Sequence, residues 1–349
     1  MKALNYIGWD VGGAHLKVAS INDSGKLEFV EQFATPLWQG LDQLENIFPK
    51  SIGKLPDGTL THALTITAEL VDIFENRESG VKKLLKLFEK KLGSNIKVYS
   101  IECGLLSLNE AYKSVNKLAS ANWYASTSYV ASLLESGLFI DVGSTTTDII
   151  PFSNKLVNAY GVDDQSRLHF DELVYTGVVR TPLMALTKQA PFAGKWQNII
   201  AEYFSDTADI YRILGTLDDK DDLMDTADGN EKDLVSSIRR LARMLGVDSN
   251  KFKHDDVCWV KLARYFEEIQ VQLLTKAIIR VLSHDTSSNK TIVAAGIGDF
   301  LVKKIADRMS IPYVEFGELC TTDSYLTHRC NSCAPAVALA QLNRHLSRR

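Results

Sequence analysis

The sequence predicts a two-lobed α/β protein built around a duplicated strand–loop–strand unit, with a helical insertion in the second lobe. Three observations carry that prediction. The first is IGWDVGGAHLK, in which Asp10, Gly12, Gly13 and Lys17 follow an apolar run. The second is GLFIDVGSTTTDII, which repeats the Asp-Val-Gly core at Asp141, Val142 and Gly143 and adds Ser144, Thr145, Thr146, Thr147 and Asp148. The third is KTIVAAGIGDFLVKKIA, a short apolar run that enters Gly296 and Gly298 and then a helical pattern. In the first two, apolar and β-branched residues on both sides of a glycine turn read as strand, tight turn, strand. Glycine lets the backbone approach a polyanion, and successive N–H groups in such a turn form an anion nest.

The elements follow in order. Tyr6 to Phe33 reads as three short strands, in the pieces NYIGWDV, HLKVASIN and KLEFVEQF, with Asn22-Asp23-Ser24-Gly25 as a hairpin turn. A helix near Gly40 to Phe48 and a strand at His62 to Thr67 come next. Val81, Leu84, Leu85, Phe88 and Leu92 share one face of a helix over Val81 to Leu92, and Ile96 to Ile101 is a strand. These fill a first lobe at residues 1–135, with a helical stretch from Leu108 to Leu134 leading out of it. The second lobe, residues 136–349, opens at Gly137. Arg167 to Leu282 reads as mostly helical, without obvious strands, giving an insertion at about 165–285. Strand Thr291 to Ala295 returns the chain to the sheet, and Ala334 to Leu346 is a final helix placed to cross back to the first lobe. Asp218 to Asp233 holds eight acidic residues and two lysines. It reads as a solvated loop, with a cleft-facing Asp225 or Asp228 as the other reading.

A lone Asp-x-Gly-Gly is usually a strand followed by a β-turn; its duplication points to two loops clamping a metal-bound diphosphate or triphosphate. Asp10 and Asp141 are the candidate ligands of a hydrated Mg²⁺. Gly12, Gly13, Gly143, Ser144, Thr145 and Thr146 offer donors to phosphate, and Lys17 offers a point charge if it faces the cleft rather than solvent. His15 is a further candidate for substrate contact. Asp148 is placed to hold metal, orient water or act as a base, with Asp163 as a second carboxylate able to take a proton.

Bulk properties narrow the class. The 349-residue chain carries a net charge of −4 and a pI near 6.0, without the basic face of a nucleic-acid binder. No apolar stretch is long enough to span a bilayer, and MKALNYIGWD runs straight into the first strand, leaving no room for a secretory signal. The expectation is a cytoplasmic protein acting on small molecules, with no nucleic-acid or membrane partner and a homodimer left open. Five cysteines do not read as a disulfide framework. Cys330-Asn-Ser-Cys333 lies near Cys320 and His328, but the second ligand pair of a structural zinc site is missing, so no metal is expected there.

Phosphate loop, phosphate loop and a Gly-rich turn before a late helix resembles the actin, sugar kinase and Hsp70 superfamily over nearly the whole chain. The resemblance implies an actin-like, ribonuclease H-like ATPase fold with Gly296 and Gly298 on the nucleotide side. DVGSTTTDI is similar to the second phosphate motif of the hydantoinase A/oxoprolinase group. TAELVDIFENRESGV, YTGVVRTPL, TADIYRILG and TADGNEKD followed by RRLARMLG resemble its short members tied to tetrahydromethanopterin-linked C1 transfer. That resemblance also draws in Glu69 and Arg77, which composition alone reads as surface residues. It implies a Mg²⁺-dependent transferase of methanofuran biosynthesis, joining an aminomethylfuran diphosphate to γ-glutamyltyramine with loss of pyrophosphate. The wider group implies two alternatives, an ATP-dependent kinase or amidohydrolase and a nucleotide-binding regulator without turnover. AAGIGDF has fewer glycines than a typical adenosine motif, which favours the diphosphate substrate.

Overall fold

A computed structural model describes residues 4–252, 256–284 and 290–348. Residues 1–3 of the expected first lobe, and 253–255 and 285 of the expected insertion, lie outside the described residues.

The first part of the chain forms strands β1 (Leu4–Val11), β2 (His15–Asn22) and β3 (Leu27–Ala34), helix α1 (Asp42–Ile52), strand β4 (Thr59–Ile66), helix α2 (Arg77–Leu92), strands β5 (Ile96–Ser100) and β6 (Gly104–Ser107), and helices α3 (Leu108–Lys113) and α4 (Asn122–Leu133). The strands make one sheet in the order β3-β2-β1-β4-β5-β6. β1 pairs antiparallel with β2 and parallel with β4. The stretch 108–134 is thus two helices with a break between them, and a strand precedes it that the sequence did not suggest.

The second part forms strands β7 (Ser136–Val142), β8 (Thr147–Ser153) and β9 (Leu156–Val157), helix α5 (Asp164–His169), strand β10 (Leu173–Val174), helix α6 (Leu183–Leu186), strands β11 (Gln189–Phe192) and β12 (Lys195–Asn198), helices α7 (Thr207–Leu214), α8 (Leu234–Met244) and α9 (Asp256–Leu282), strand β13 (Thr291–Ala295), helix α10 (Asp299–Met309), strand β14 (Tyr313–Glu315), and helices α11 (Ser324–Ser332) and α12 (Ala334–Ser347). Its main sheet runs β10-β8-β7-β13-β14, with β9 beside β8. β7 pairs antiparallel with β8 and parallel with β13, repeating the directions around β1. The region 167–282 is therefore not free of strands: it contains β10 and the β11–β12 hairpin, whose turn takes positive φ at Ala193 and Gly194.

Each sheet has its own apolar cluster, around Trp9, Phe48 and Phe88 in the first and around Tyr211, Trp259 and Phe266 in the second. A third cluster joins them, where α4 and α12 bring Tyr129, Val337 and Ala340 against Tyr6 and Ala19 of one sheet and Phe139, Phe152 and Val293 of the other. The final helix does cross back: a Cβ at Gly8 of β1 would stand 1.8 Å from the Ala336 carbonyl oxygen, so that crossing requires glycine. The architecture is the two-lobed actin-like, ribonuclease H-like α/β fold.

Candidate active site

The loop after β1 and the loop after β7 are built alike. The Gly12 N–H donates to the His15 carbonyl at 3.0 Å, and the Gly143 N–H donates to the Thr146 carbonyl at 2.9 Å. Asp10 lies opposite Lys17 in the β1–β2 register, and Asp141 lies opposite Asp148 in the β7–β8 register. Both loops open into one cleft of about 600 Å³, lined by Asp10, Gly12, Gly13, His15 and Lys17 on one side and Asp141, Gly143, Ser144, Thr145, Thr146 and Asp148 on the other. A volume of that size suits a drug-sized ligand.

Burial dominates the electrostatics. It raises Asp10 to about 6 and Asp141 to about 7; Lys17 opposes the rise, and the neighbouring carboxylates, Asp148 in both cases, add to it. Lys17 lies 4.0 Å from Asp10; burial lowers its pKa, but Asp10, Asp141, Cys333 and Asp221 together raise it overall. His15 is lowered to about 4 by burial and by the cations Lys17 and Arg180. Its Nε2 and Oδ1 of Asp10 have no hydrogen-bond partner among the described residues. His62 shows the contrast. It is lowered equally by burial, but its Nδ1 accepts from the Trp9 indole at 3.1 Å, which makes it a core histidine.

Orphaned buried carboxylate oxygen facing a cleft fits a hard cation. No group of three or more His, Cys, Asp or Glu suited to a metal occurs among the described residues. Mg²⁺ commonly uses one or two carboxylates plus substrate phosphates and water, so Asp10 and Asp141 match that ligand pattern.

Other candidates fall differently. Asp148 lines the cleft and is paired with Arg167, whose guanidinium lies 4.1 Å from the Trp123 ring centroid. Asp163 does not line it; its carboxylate caps α5 by accepting from the Ser166 N–H at 2.8 Å. Glu69 is buried rather than superficial and accepts from Ser120 at 2.9 Å. Arg77 approaches Glu69 at 3.6 Å and reaches Asp164 of the other lobe at 3.1 Å. Gly296 and Gly298 do not line the cleft. A Cβ at Gly296 would meet the Val142 carbonyl oxygen at 2.2 Å and Asp141 Oδ1 at 2.5 Å, so this glycine makes room for Asp141. Cys330 and Cys333 are buried in the layer joining the two sheets.

The acidic run is the largest correction. Asp221 and Asp222 are buried, not solvated. Asp221 accepts from Gln32 at 2.5 Å and contacts His328 at 3.0 Å, and Asp222 binds Arg212. Asp225 is exposed, and Asp228 pairs with Arg240 and Arg243; neither lines the cleft.

Residues 61–342 match the model of the hydantoinase/oxoprolinase family. The chain belongs to that family. It is 32% identical over 307 residues, 87% of this chain and 89% of the relative, to the (4-{4-[2-(gamma-L-glutamylamino)ethyl]phenoxymethyl}furan-2-yl)methanamine synthase of Methanocaldococcus jannaschii. The synthase of the same name from Methanococcus vannielii is 32% identical over 166 residues, 48% of this chain and 72% of that one. Nucleotide-free acetone carboxylase superposes with a TM-score of 0.54 at 8% identity, covering 97% of this chain and 70% of that one, which speaks to the fold alone.

In this hydantoinase/oxoprolinase member the family-like segments converge beneath the second loop. The N–H groups of Val178 and Arg180 donate to the carbonyls of Gly143 and Ser144 at 3.0 and 2.8 Å. A Cβ at Gly177 would stand 2.5 Å from the Thr145 nitrogen. Thr207 and Gln270 both donate to the Gly177 carbonyl, at 2.8 and 2.9 Å. Behind them Asp209 binds Arg240 at 2.7 Å and Arg212 at 2.9 Å. TADIYRILG and RRLARMLG thus brace the loop from behind and do not line the cleft. Sequence reasoning missed Trp38, Tyr175, Arg167 and Arg180 in the cleft.

Proposed function

We propose that this chain joins an aminomethylfuran diphosphate to a tyramine-type phenol and releases pyrophosphate, as a transferase of methanofuran-type cofactor biosynthesis. The observation that carries the reading is the 32% identity over 87% of the chain to a synthase whose named product is a phenoxymethylfuran. The cleft supports it. Its floor carries two anion loops and Lys17, while Tyr175 supplies aromatic surface for a furan or a phenol.

In the reaction the CH₂–O bond to diphosphate breaks, its electron pair leaves with the diphosphate oxygen, and the phenol oxygen bonds to the CH₂ carbon. The phenol proton passes to a carboxylate, for which Asp148 is placed in the cleft. The loop N–H groups and Lys17 orient the diphosphate and take up its growing charge. Mg²⁺ held by Asp10 and Asp141 would supply further charge neutralisation. No helix among the described residues is long and apolar enough to cross a membrane.

The test is a pyrophosphate-release assay with Mg²⁺, aminomethylfuran diphosphate and γ-glutamyltyramine, run without nucleotide. Release is the expected outcome. Strict dependence on ATP, with ADP or AMP formed, would replace this reading with a kinase or amidohydrolase. Tight nucleotide binding with no turnover of either set would make the protein a regulator.

A further inference from the structure

We propose that Arg180 is a second cation on the departing diphosphate, held over the cleft by Trp38. The inference rests on the diphosphate reading above and adds a residue to it.

Three arginines matter in and beside the cleft, and two are spoken for. Arg167 pairs with Asp148, and Arg77 pairs with Glu69 and Asp164. Lys17 faces two carboxylates, Asp10 and Asp141, so the floor carries no surplus positive charge. Arg180 lines the same cleft, is exposed, and has no carboxylate partner among the described residues. It is the uncompensated cation of the site.

Its placement is fixed from both lobes. The Arg180 N–H donates to the Ser144 carbonyl at 2.8 Å, which ties it to the second loop. Thr181, its neighbour, accepts from the Gly177 N–H at 2.8 Å and donates to the Gly177 carbonyl at 3.1 Å. On the facing lobe the Leu37 N–H donates to the Gly13 carbonyl at 3.0 Å, which ties the segment carrying Trp38 to the first loop. The Arg180 guanidinium lies 5.4 Å from the Trp38 ring centroid. The stack therefore bridges the two anion loops. A diphosphate spanning both loops lies within the field of this guanidinium, which also acts on His15 of the first loop.

As the CH₂–O bond breaks, negative charge grows on the diphosphate, and the planar, permanently charged guanidinium can donate two parallel hydrogen bonds to it. The indole face holds the cation in position without neutralising it. Arg180 binds the leaving group; Trp38 is a positioning residue.

The experiment compares wild type, Arg180→Gln, Arg180→Lys, Trp38→Leu and Trp38→Phe in the full chain. Calorimetry gives Mg²⁺–pyrophosphate affinity, and steady-state assays give kcat and KM for each substrate. Arg180→Gln should lower kcat about 10²–10³-fold and weaken pyrophosphate binding, with the phenol KM unchanged. Arg180→Lys should recover part of both, Trp38→Leu should lose less than Arg180→Gln, and Trp38→Phe should recover most of that loss. Unchanged pyrophosphate affinity in Arg180→Gln, or an effect confined to the phenol KM, overturns the proposal. If wild type binds pyrophosphate but does not turn over the furan substrate, the binding comparison still decides Arg180, and only the reaction is lost. If wild type binds no pyrophosphate, both fall.

Discussion

Across from the strand-end aspartate, the first loop places Lys17 and the second places Asp148. The turns are the same, down to the glycine N–H bonded to the carbonyl three residues on, yet the paired side chain has opposite charge. Duplicated backbone thus supplies two equivalent turns, and the cross-strand position sets the charge beside each. The first loop brings a cation to the cleft. The second brings a second carboxylate, which Arg167 keeps from facing Asp141 uncompensated. Their support differs as well. The second loop rests on the braced segment around Gly177, while a Cβ at Gly13 of the first would meet only the Val71 side chain, at 3.0 Å.

The comparison is tested most severely at what the loops share. Asp10→Ala and Asp141→Ala should each lower turnover by about 10³-fold or more while leaving the far-ultraviolet spectrum and cooperative unfolding intact. If either retained near-normal activity at saturating Mg²⁺, the two strand ends would not be equivalent.

The charge difference predicts a split. Lys17→Gln should weaken pyrophosphate binding about 10-fold or more, measured by calorimetry. Asp148→Asn should leave that affinity in place, because Arg167 becomes free, while kcat falls about 10²-fold or more. The same phenotype for both variants would erase that split.

The difference in bracing is sharpened by Gly177→Ala against Gly13→Ala. The first forces a methyl group into backbone and should cost about 1–3 kcal/mol in denaturant unfolding, with the second nearer the low end of that range. Equal losses would mean that the two loops are equally supported.

The smallest effect concerns pH. In metal-free protein Asp141 has its pKa raised to about 7 from 3.8, so the folded state holds a proton that the unfolded state releases. Its contribution to stability is present below the unfolded value and is lost as pH rises through about 7. Asp141→Asn should therefore unfold at higher temperature than wild type at mildly alkaline pH in chelator, and the advantage should vanish in acid. A constant difference across pH would assign it to packing instead.

Much of this was legible because local chemistry and fold agreed. Both Asp-Val-Gly turns, the hairpin at Asn22–Gly25, β13 and the returning α12 follow from apolar runs broken by glycine or turn residues. The β11–β12 hairpin was not legible, since it is short, carries Pro191 and turns at Ala193-Gly194 without the usual Asn-Gly signal. Asp221 and Asp222 looked solvated because their partners Gln32, Arg212 and His328 are remote or unremarkable in sequence. Arg167 and Arg180 were missed for the same reason: only the folded chain decides which arginine meets a carboxylate and which meets an indole.

The crossing of α12 over β1 has a consequence for biogenesis. Ribosomes deliver the first sheet early, but the helix that covers its inner face, against Tyr6, Gly8 and Ala19, is translated only after the strands of both sheets. Until Ala334–Ser347 has been translated, the first sheet has an uncovered apolar face, so the first lobe is completed only after the second has been made rather than lobe by lobe during synthesis.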